Sequence, residues 1–128
     1  MNLLLDTHVL LWAAIEPKRL SAKARTLLLD PANHLVFSAA SLWEISIKNG
    51  LDRADFKVDP RRLWRMLLVN GYREIPVSSE HTVAVNELPP MHKDPIDRIL
   101  IAQARAEGFL LLTVDKAVAK YGEGVLKV

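Results

Sequence analysis

Short runs of apolar residues alternate along the chain with longer segments in which apolar residues recur at helical spacing. The run Asn2–Leu5 is leucine after its first residue, which predicts a strand buried on both faces, as in a parallel sheet. Further strands are predicted at His34–Phe37, Arg73–Val77, Leu110–Val114 and, at an edge, Val125–Val128. Helices are predicted at Thr7–Ile15, Ala22–Leu29, Ala39–Asn49, Arg61–Asn70, Ser78 or Ser79 to about Glu87, Pro95–Glu107 and Lys116–Tyr121. This alternation predicts an α/β fold with three layers, α/β/α, around a central, mainly parallel sheet.

Carboxylates stand directly after two of the predicted strands. Asp6 follows Asn2–Leu5, and Asp115 follows Leu110–Val114. Right-handed crossovers bring the carboxyl ends of parallel strands to one edge of a sheet, which is where ligands bind in such folds. We therefore expect Asp6 and Asp115 to lie at the same edge. Each acid also precedes a helix, and for either one taken alone the stronger interpretation is an N-cap.

Two further acids lie at the start of the predicted helix Pro95–Glu107. Asp94 is placed to cap the helix, and Asp97 is an acid in the first turn, where the helix dipole favours it. Capping and the dipole explain this segment well. However, the rest of the helix is nearly all apolar, so Asp97 is expected to face the protein or a cleft.

Glu44 is the acid with no capping role. It shares a helical face with the apolar residues Ala40 and Ile47, and a buried lone carboxylate is costly. An ordinary exposed pair with Lys48, four residues later, explains it equally well. Both interpretations stay open for Glu44 alone.

The acids taken together indicate an all-oxygen metal site. The chain has no cysteine, and its histidines are scattered, so we interpret His8, His34, His81 and His92 as structural or surface residues. Hard cations such as Mg²⁺ and Mn²⁺ prefer oxygen ligands. Converging carboxylates would repel one another without a cation, whereas with one they could support phosphodiester hydrolysis.

Composition is consistent with one domain spanning residues 1–128, without repeats or linkers. The formal charge is +2, from 17 basic and 15 acidic residues. If five acids occupy one pocket, a basic surface remains around it, which suits a polyanionic substrate, although a basic chain is common and not specific. Neither a signal peptide nor an apolar run of the ~18 residues that a membrane span needs is present, so we expect a cytoplasmic protein.

Four motifs, in order and spacing, resemble the PIN domain, specifically the VapC-type ribonuclease toxins. The resemblance covers nearly the whole chain. Its motifs are Leu3-Leu4-Leu5-Asp6-Thr7-His8, Ser41-Leu42-Trp43-Glu44-Ile45, His92-Lys93-Asp94-Pro95-Ile96-Asp97-Arg98 with Ala102-Gln103-Ala104 behind it, and Thr113-Val114-Asp115. Each motif alone would be weak.

The resemblance implies a fold, an activity and a set of site residues. The catalytic acids and metal ligands would be Asp6, Glu44, Asp97 and Asp115. Asp94 would be an additional metal-binding acid, found in the subgroup with an Asp-Pro-aromatic-Asp-Arg pattern. This chain has Ile96 where that pattern usually has an aromatic residue. It implies a PIN-like fold and an Mg²⁺- or Mn²⁺-dependent endoribonuclease. It also implies a homodimer that is silenced by an antitoxin.

Residues beside the acids have weaker assignments. Thr7 and Thr113 are expected either to orient the acids or simply to cap helices. Lys48, Arg98 and Lys116 are candidates for contacts with RNA phosphates, with ion pairing inside the protein as the stronger interpretation. Trp12, Trp43 and Trp64 are expected in the core or in a dimer interface.

Three other classes of protein were weighed against the nuclease. A phospho-receiver domain needs paired acids after the first strand and an Asp after a middle strand, but His34–Phe37 is followed by Ser38. A PIN fold that serves only as an interaction module would be favoured by loss of an acid, and all are present. A dinucleotide-binding enzyme needs a glycine-rich loop after the first strand, which this chain lacks.

Overall fold

The computed structural model describes residues 1–51 and 57–128. The strands are β1 (Asn2–Leu5), β2 (His34–Ser38), β3 (Arg73–Ile75), β4 (Leu110–Thr113) and β5 (Val125–Lys127). The α-helices of the described residues are α1 (Thr7–Ile15), α2 (Ala22–Leu29), α3 (Ala39–Gly50), α4 (Pro60–Val69), α5 (Ser79–Ala84), α6 (Pro95–Glu107) and α7 (Lys116–Ala119). Every predicted element is thus confirmed in type and approximate position.

The differences from the predicted boundaries have local causes. Strand β3 ends at Ile75 and not at Val77, because Pro76 has no N–H to donate to a strand partner. Helix α5 ends at Ala84, and a 3₁₀ turn continues it over Val85–Glu87. Another 3₁₀ turn, at Pro17–Arg19, was not predicted.

All strands of the sheet are parallel, in the order β3-β2-β1-β4-β5. The chain moves from β1 to β2 on one side, and later returns to place β4 on the other side of β1. The boundary between β1 and β4 is therefore the switch point at which open α/β sheets form a crevice beyond the strand ends. Leu5 pairs with Leu112, so Asp6, directly after β1, lies beside Thr113, the last residue of β4.

Two apolar clusters, one on each face of the sheet, confirm the three-layer architecture. Because side chains alternate along a strand, Leu4 packs into one cluster, with Ile101 of α6, and Leu3 and Leu5 pack into the other, with Leu10 of α1. The leucines of β1 are fully buried, as the sequence predicts. No helix within the described residues is long and apolar enough to span a membrane.

Candidate active site

Asp6 combines two roles at the end of β1. One carboxylate oxygen accepts from the backbone N–H of Val9 at 2.9 Å, which caps α1. The other accepts from the Thr113 hydroxyl at 2.5 Å, across the boundary between β1 and β4. The residue is only 4% exposed, and burial raises its pKa above the usual 3.8 in spite of these hydrogen bonds. The capping prediction is confirmed. Capping is compatible with a second role for Asp6, because its carboxylate lies at the switch point.

Thr113 links the acids that follow β1 and β4. Its hydroxyl donates to Asp6 and accepts from the backbone N–H of Asp115 at 3.0 Å. Asp115 in turn caps α7, with its Oδ1 accepting from the N–H of Ala117 at 2.7 Å. The structure therefore places Asp6 and Asp115 at one edge of the sheet, as expected, with Thr113 orienting both.

The start of α6 brings a further acid to this edge. Asp94 caps the helix, since its Oδ1 accepts from the N–H groups of Ile96 and Asp97 at 2.9 and 3.1 Å. One oxygen of Asp97 lies 2.7 Å from Nε2 of His92. Single ligand atoms of His92, Asp97 and Asp115 all lie within 4.8 Å of one another. Asp6, Glu44 and Asp94 are not part of this cluster. The structure shows Asp94 as a helix cap that adds negative charge nearby.

The charge of Glu44 acts on two of the predicted site acids, Asp6 and Asp97. The pKa of Asp97 is raised from 3.8 to about 6, chiefly by burial and also by the charges of Asp94 and Glu44, against the lowering effect of its hydrogen bond with His92. The charge of Glu44 also raises the pKa of Asp6. Glu44 pairs with Lys48 at 3.6 Å, so the ion pair is confirmed, and a role of Glu44 in a metal site stays a prediction.

Thr7 acts differently from the expectation that it orients an acid. Its hydroxyl donates to Oγ of Ser41 at 3.0 Å, and both side chains are buried. This bond joins the start of α1 to α3. Thr7 thereby holds the helix of Glu44 close to Asp6, and its contribution to the site is indirect.

Arg98 is a poor candidate for an RNA contact, because its guanidinium is directed inward. It donates to the backbone oxygens of Val85, Pro89 and His92 and to the Tyr121 hydroxyl, at 3.0 to 3.3 Å. Arg98 therefore anchors the loop that precedes α6. Among the other candidates, Lys48 pairs with Glu44, and Lys116 is exposed at the first turn of α7.

His92 lies beside the acids, which the sequence pattern did not indicate. We interpreted it as structural or surface, but it is hydrogen-bonded to one of the predicted catalytic acids. The available signal was its position, five residues before Asp97 and between a Pro-Pro break and a helix cap. That position suggests a short loop folded back over the first turn of α6.

The raised pKa of Asp97 predicts how stability depends on pH in metal-free protein. Because the folded pKa lies above the unfolded value, the folded state binds the proton more tightly, and this carboxyl increasingly opposes folding as pH rises from about 4 to about 7. The full effect is about 2–3 kcal/mol. Urea unfolding in EDTA should therefore show wild type losing stability relative to Asp97→Asn over this range. A constant difference between the two proteins would contradict the assignment.

Comparison with known proteins agrees with this geometry. A family model described as the PIN domain matches residues 3–124. Ribonuclease VapC22 from Mycobacterium tuberculosis is 28% identical over 121 residues, which are 94% of this chain and 92% of the relative. The chain therefore belongs to the PIN-domain family.

Solved structures of VapC-type proteins share the fold of this chain. The crystal structure of VapBC2 from Rickettsia felis, bound to a DNA fragment from its promoter, aligns with a TM-score of 0.69 at 18% identity and covers 100% of this chain and 98% of that one. VapC20 from Mycobacterium tuberculosis, described as a Sarcin-Ricin loop cleaving toxin, aligns with a TM-score of 0.63 at 17% identity, covering 94% and 95%. The resemblance to VapC-type PIN proteins is confirmed by the family match, the similar sequence of VapC22 and the shared fold.

Proposed function

We propose that the protein is a metal-dependent endoribonuclease, the toxin of a VapC-type toxin–antitoxin pair. The observation that carries the proposal is that ligand atoms of His92, Asp97 and Asp115 lie within 4.8 Å of one another, with Asp6 linked to Asp115 through Thr113. Asp6 and Asp115 follow β1 and β4, Asp97 begins α6, and Glu44 lies on α3. Similar proteins named as a ribonuclease and as a Sarcin-Ricin loop cleaving toxin support this chemistry.

The donor set fits a hard divalent cation such as Mg²⁺ or Mn²⁺. The pKa values of Asp6 and Asp97 are raised by burial and by neighbouring negative charge, and a cation would stabilise these two carboxylates in the charged form. Asp6, Glu44, Asp97 and Asp115 would hold the cation, which supplies charge neutralisation at a phosphate and makes a water molecule more acidic.

The remaining residues would keep this site in its geometry. Thr113 orients Asp6 and the backbone of Asp115, and Thr7 holds α3 against α1 through Ser41. Of the three candidate cations, Lys116 is the exposed one, and its position beside Asp115 suits contact with an RNA phosphate.

The proposed partners are an antitoxin and a second copy of the chain. A structural neighbour is described as a toxin–antitoxin complex, which supports an antitoxin for this chain. The proposed RNA substrate would be met in the cytoplasm. Helix α3 exposes 61% of Trp43 and 43% of Ile47, one turn apart. Such adjacent apolar side chains favour an interface, which supports the proposed homodimer.

The nuclease proposal is tested with purified protein, single-stranded RNA and Mn²⁺ or Mg²⁺. Wild type should cleave, and Glu44→Gln should lower the rate by at least about a hundredfold, since even outer partners of metal ligands contribute 10- to 100-fold. Glu80→Gln, an exposed acid at the start of α5, is the matched control and should cleave normally. A wild-type protein that leaves RNA intact would favour the interaction module without catalysis, and full activity in Glu44→Gln would remove Glu44 from the site.

A further inference from the structure

His92 lies where a ligand of the proposed cation would lie. Its Nε2 is 2.7 Å from the Asp97 oxygen, and a nitrogen of His92 and one oxygen each of Asp97 and Asp115 are within 4.8 Å of one another. In an octahedral site with bonds of about 2.1 Å, adjacent ligand atoms are about 3.0 Å apart and opposite ones about 4.2 Å. The three atoms therefore need only a small closure to share one cation.

The loop that carries His92 is held in place independently of the acids. Arg98 donates to the backbone oxygens of Pro89 and His92 at 3.0 and 3.3 Å. The Tyr121 hydroxyl accepts from Arg98 and donates to the Pro89 oxygen at 3.1 Å. These bonds fix the backbone on both sides of the turn. The imidazole is thus positioned over Asp97 by the fold, and not only by its own hydrogen bond.

We propose that His92 supplies a nitrogen ligand to the cation held by Asp97 and Asp115, which shifts the preference of the site from Mg²⁺ towards Mn²⁺. The proposal rests on the metal site of the proposed nuclease and changes its ligand set. Both ions favour oxygen ligands, but Mn²⁺ is a first-row transition ion and accepts an imidazole ligand more readily than Mg²⁺ does. The side chain of His92 is 21% exposed and that of Asp97 is 22% exposed, so the cation would remain accessible to substrate.

The test reads the ligand directly, by pulsed EPR of Mn²⁺ bound to the whole chain. Wild type should show ¹⁴N coupling from a coordinated imidazole, and His92→Gln should lose it. His34→Gln is the matched control, because His34 is exposed at the start of β2, at the opposite end of the strand from the acids, and should retain the signal. Calorimetric titration should show Mn²⁺ affinity falling at least about tenfold in His92→Gln, and Mg²⁺ affinity falling by a smaller factor.

Each outcome has a defined meaning. Wild-type protein whose bound Mn²⁺ shows no nitrogen coupling, or coupling that persists in His92→Gln, overturns the proposal, as does wild type that binds no Mn²⁺. The wild-type spectrum alone shows whether a nitrogen atom is bound to Mn²⁺, even if the variant is unstable. RNA cleavage measured in parallel separates the two proposals: cleavage without nitrogen coupling rejects only His92 as a ligand, and nitrogen coupling without cleavage rejects only the nuclease.

Discussion

Replacing Asp6 with Asn is expected to abolish RNA cleavage while the protein stays folded. Asn caps helices as well as Asp does, so its oxygen can still accept from Val9, and its amide can donate to the hydroxyl of Thr113. What disappears is the negative charge. Loss of about 4 kcal/mol of transition-state stabilisation would slow cleavage by about a thousandfold. The rate should be measured with labelled RNA under saturating Mn²⁺.

The same variant separates the two interpretations of the acid. A carboxylate that only capped α1 would be replaced by Asn with little effect on any activity. Because burial raises the pKa of Asp6, a neutral side chain should leave metal-free stability at pH 7 equal or higher. Asp59→Asn is the matched control, since Asp59 caps α4 through the N–H groups of Arg61 and Arg62 but is not one of the converging acids. Normal cleavage by Asp6→Asn would reject the site assignment.

Removal of divalent cations is expected to have an effect of the same size. A metal that polarises phosphate and acidifies water contributes several kcal/mol, so excess EDTA should reduce cleavage by about a thousandfold or more. Addition of Mn²⁺ or Mg²⁺ beyond the chelator should restore it. The Asp6→Asn protein, purified identically, reports any contaminating ribonuclease. Cleavage that continues unchanged in EDTA would exclude the metal mechanism.

Circular dichroism distinguishes loss of catalysis from loss of structure in this experiment. The apolar clusters on both faces of the sheet and the caps of the helices consist only of protein groups. The chelated protein should therefore keep its helical signal. An unfolding transition caused by EDTA at neutral pH would instead indicate that the carboxylates repel one another more strongly than the core can compensate.

The elements of the fold were predictable because local chemistry marks them. Capping acids followed by proline, at Asp59-Pro60 and Asp94-Pro95, start α4 and α6 where the sequence predicts. Gly108, in the left-handed conformation, ends α6. The leucines of β1 indicated a doubly buried, and hence central, strand. Such signals act within a few residues, so a single sequence reveals them.

The site was predictable only in part, because its geometry depends on contacts between distant elements. The handedness of crossovers predicts that the acids at the ends of β1 and β4 lie close together. The resemblance implies Glu44 and Asp97 as further site residues. No local pattern shows that the guanidinium of Arg98 turns inward, since its acceptors are spread from Val85 to Tyr121. The contact of His92 with Asp97 likewise depends on how that anchored loop folds.

The proposed site residues Asp6 and Asp115 are also helix caps, so a single base change in the gene can remove the charge of either residue without unfolding the protein. Codons for aspartate and asparagine differ by a single base, and Asn preserves the caps that Asp6 and Asp115 provide. One mutation can therefore yield a chain that has lost its charge at the site but keeps its surface. If the protein is a toxin, such a product would still bind and deplete its antitoxin. The inactive but folded chain would then release any active copies in the same cell from the antitoxin.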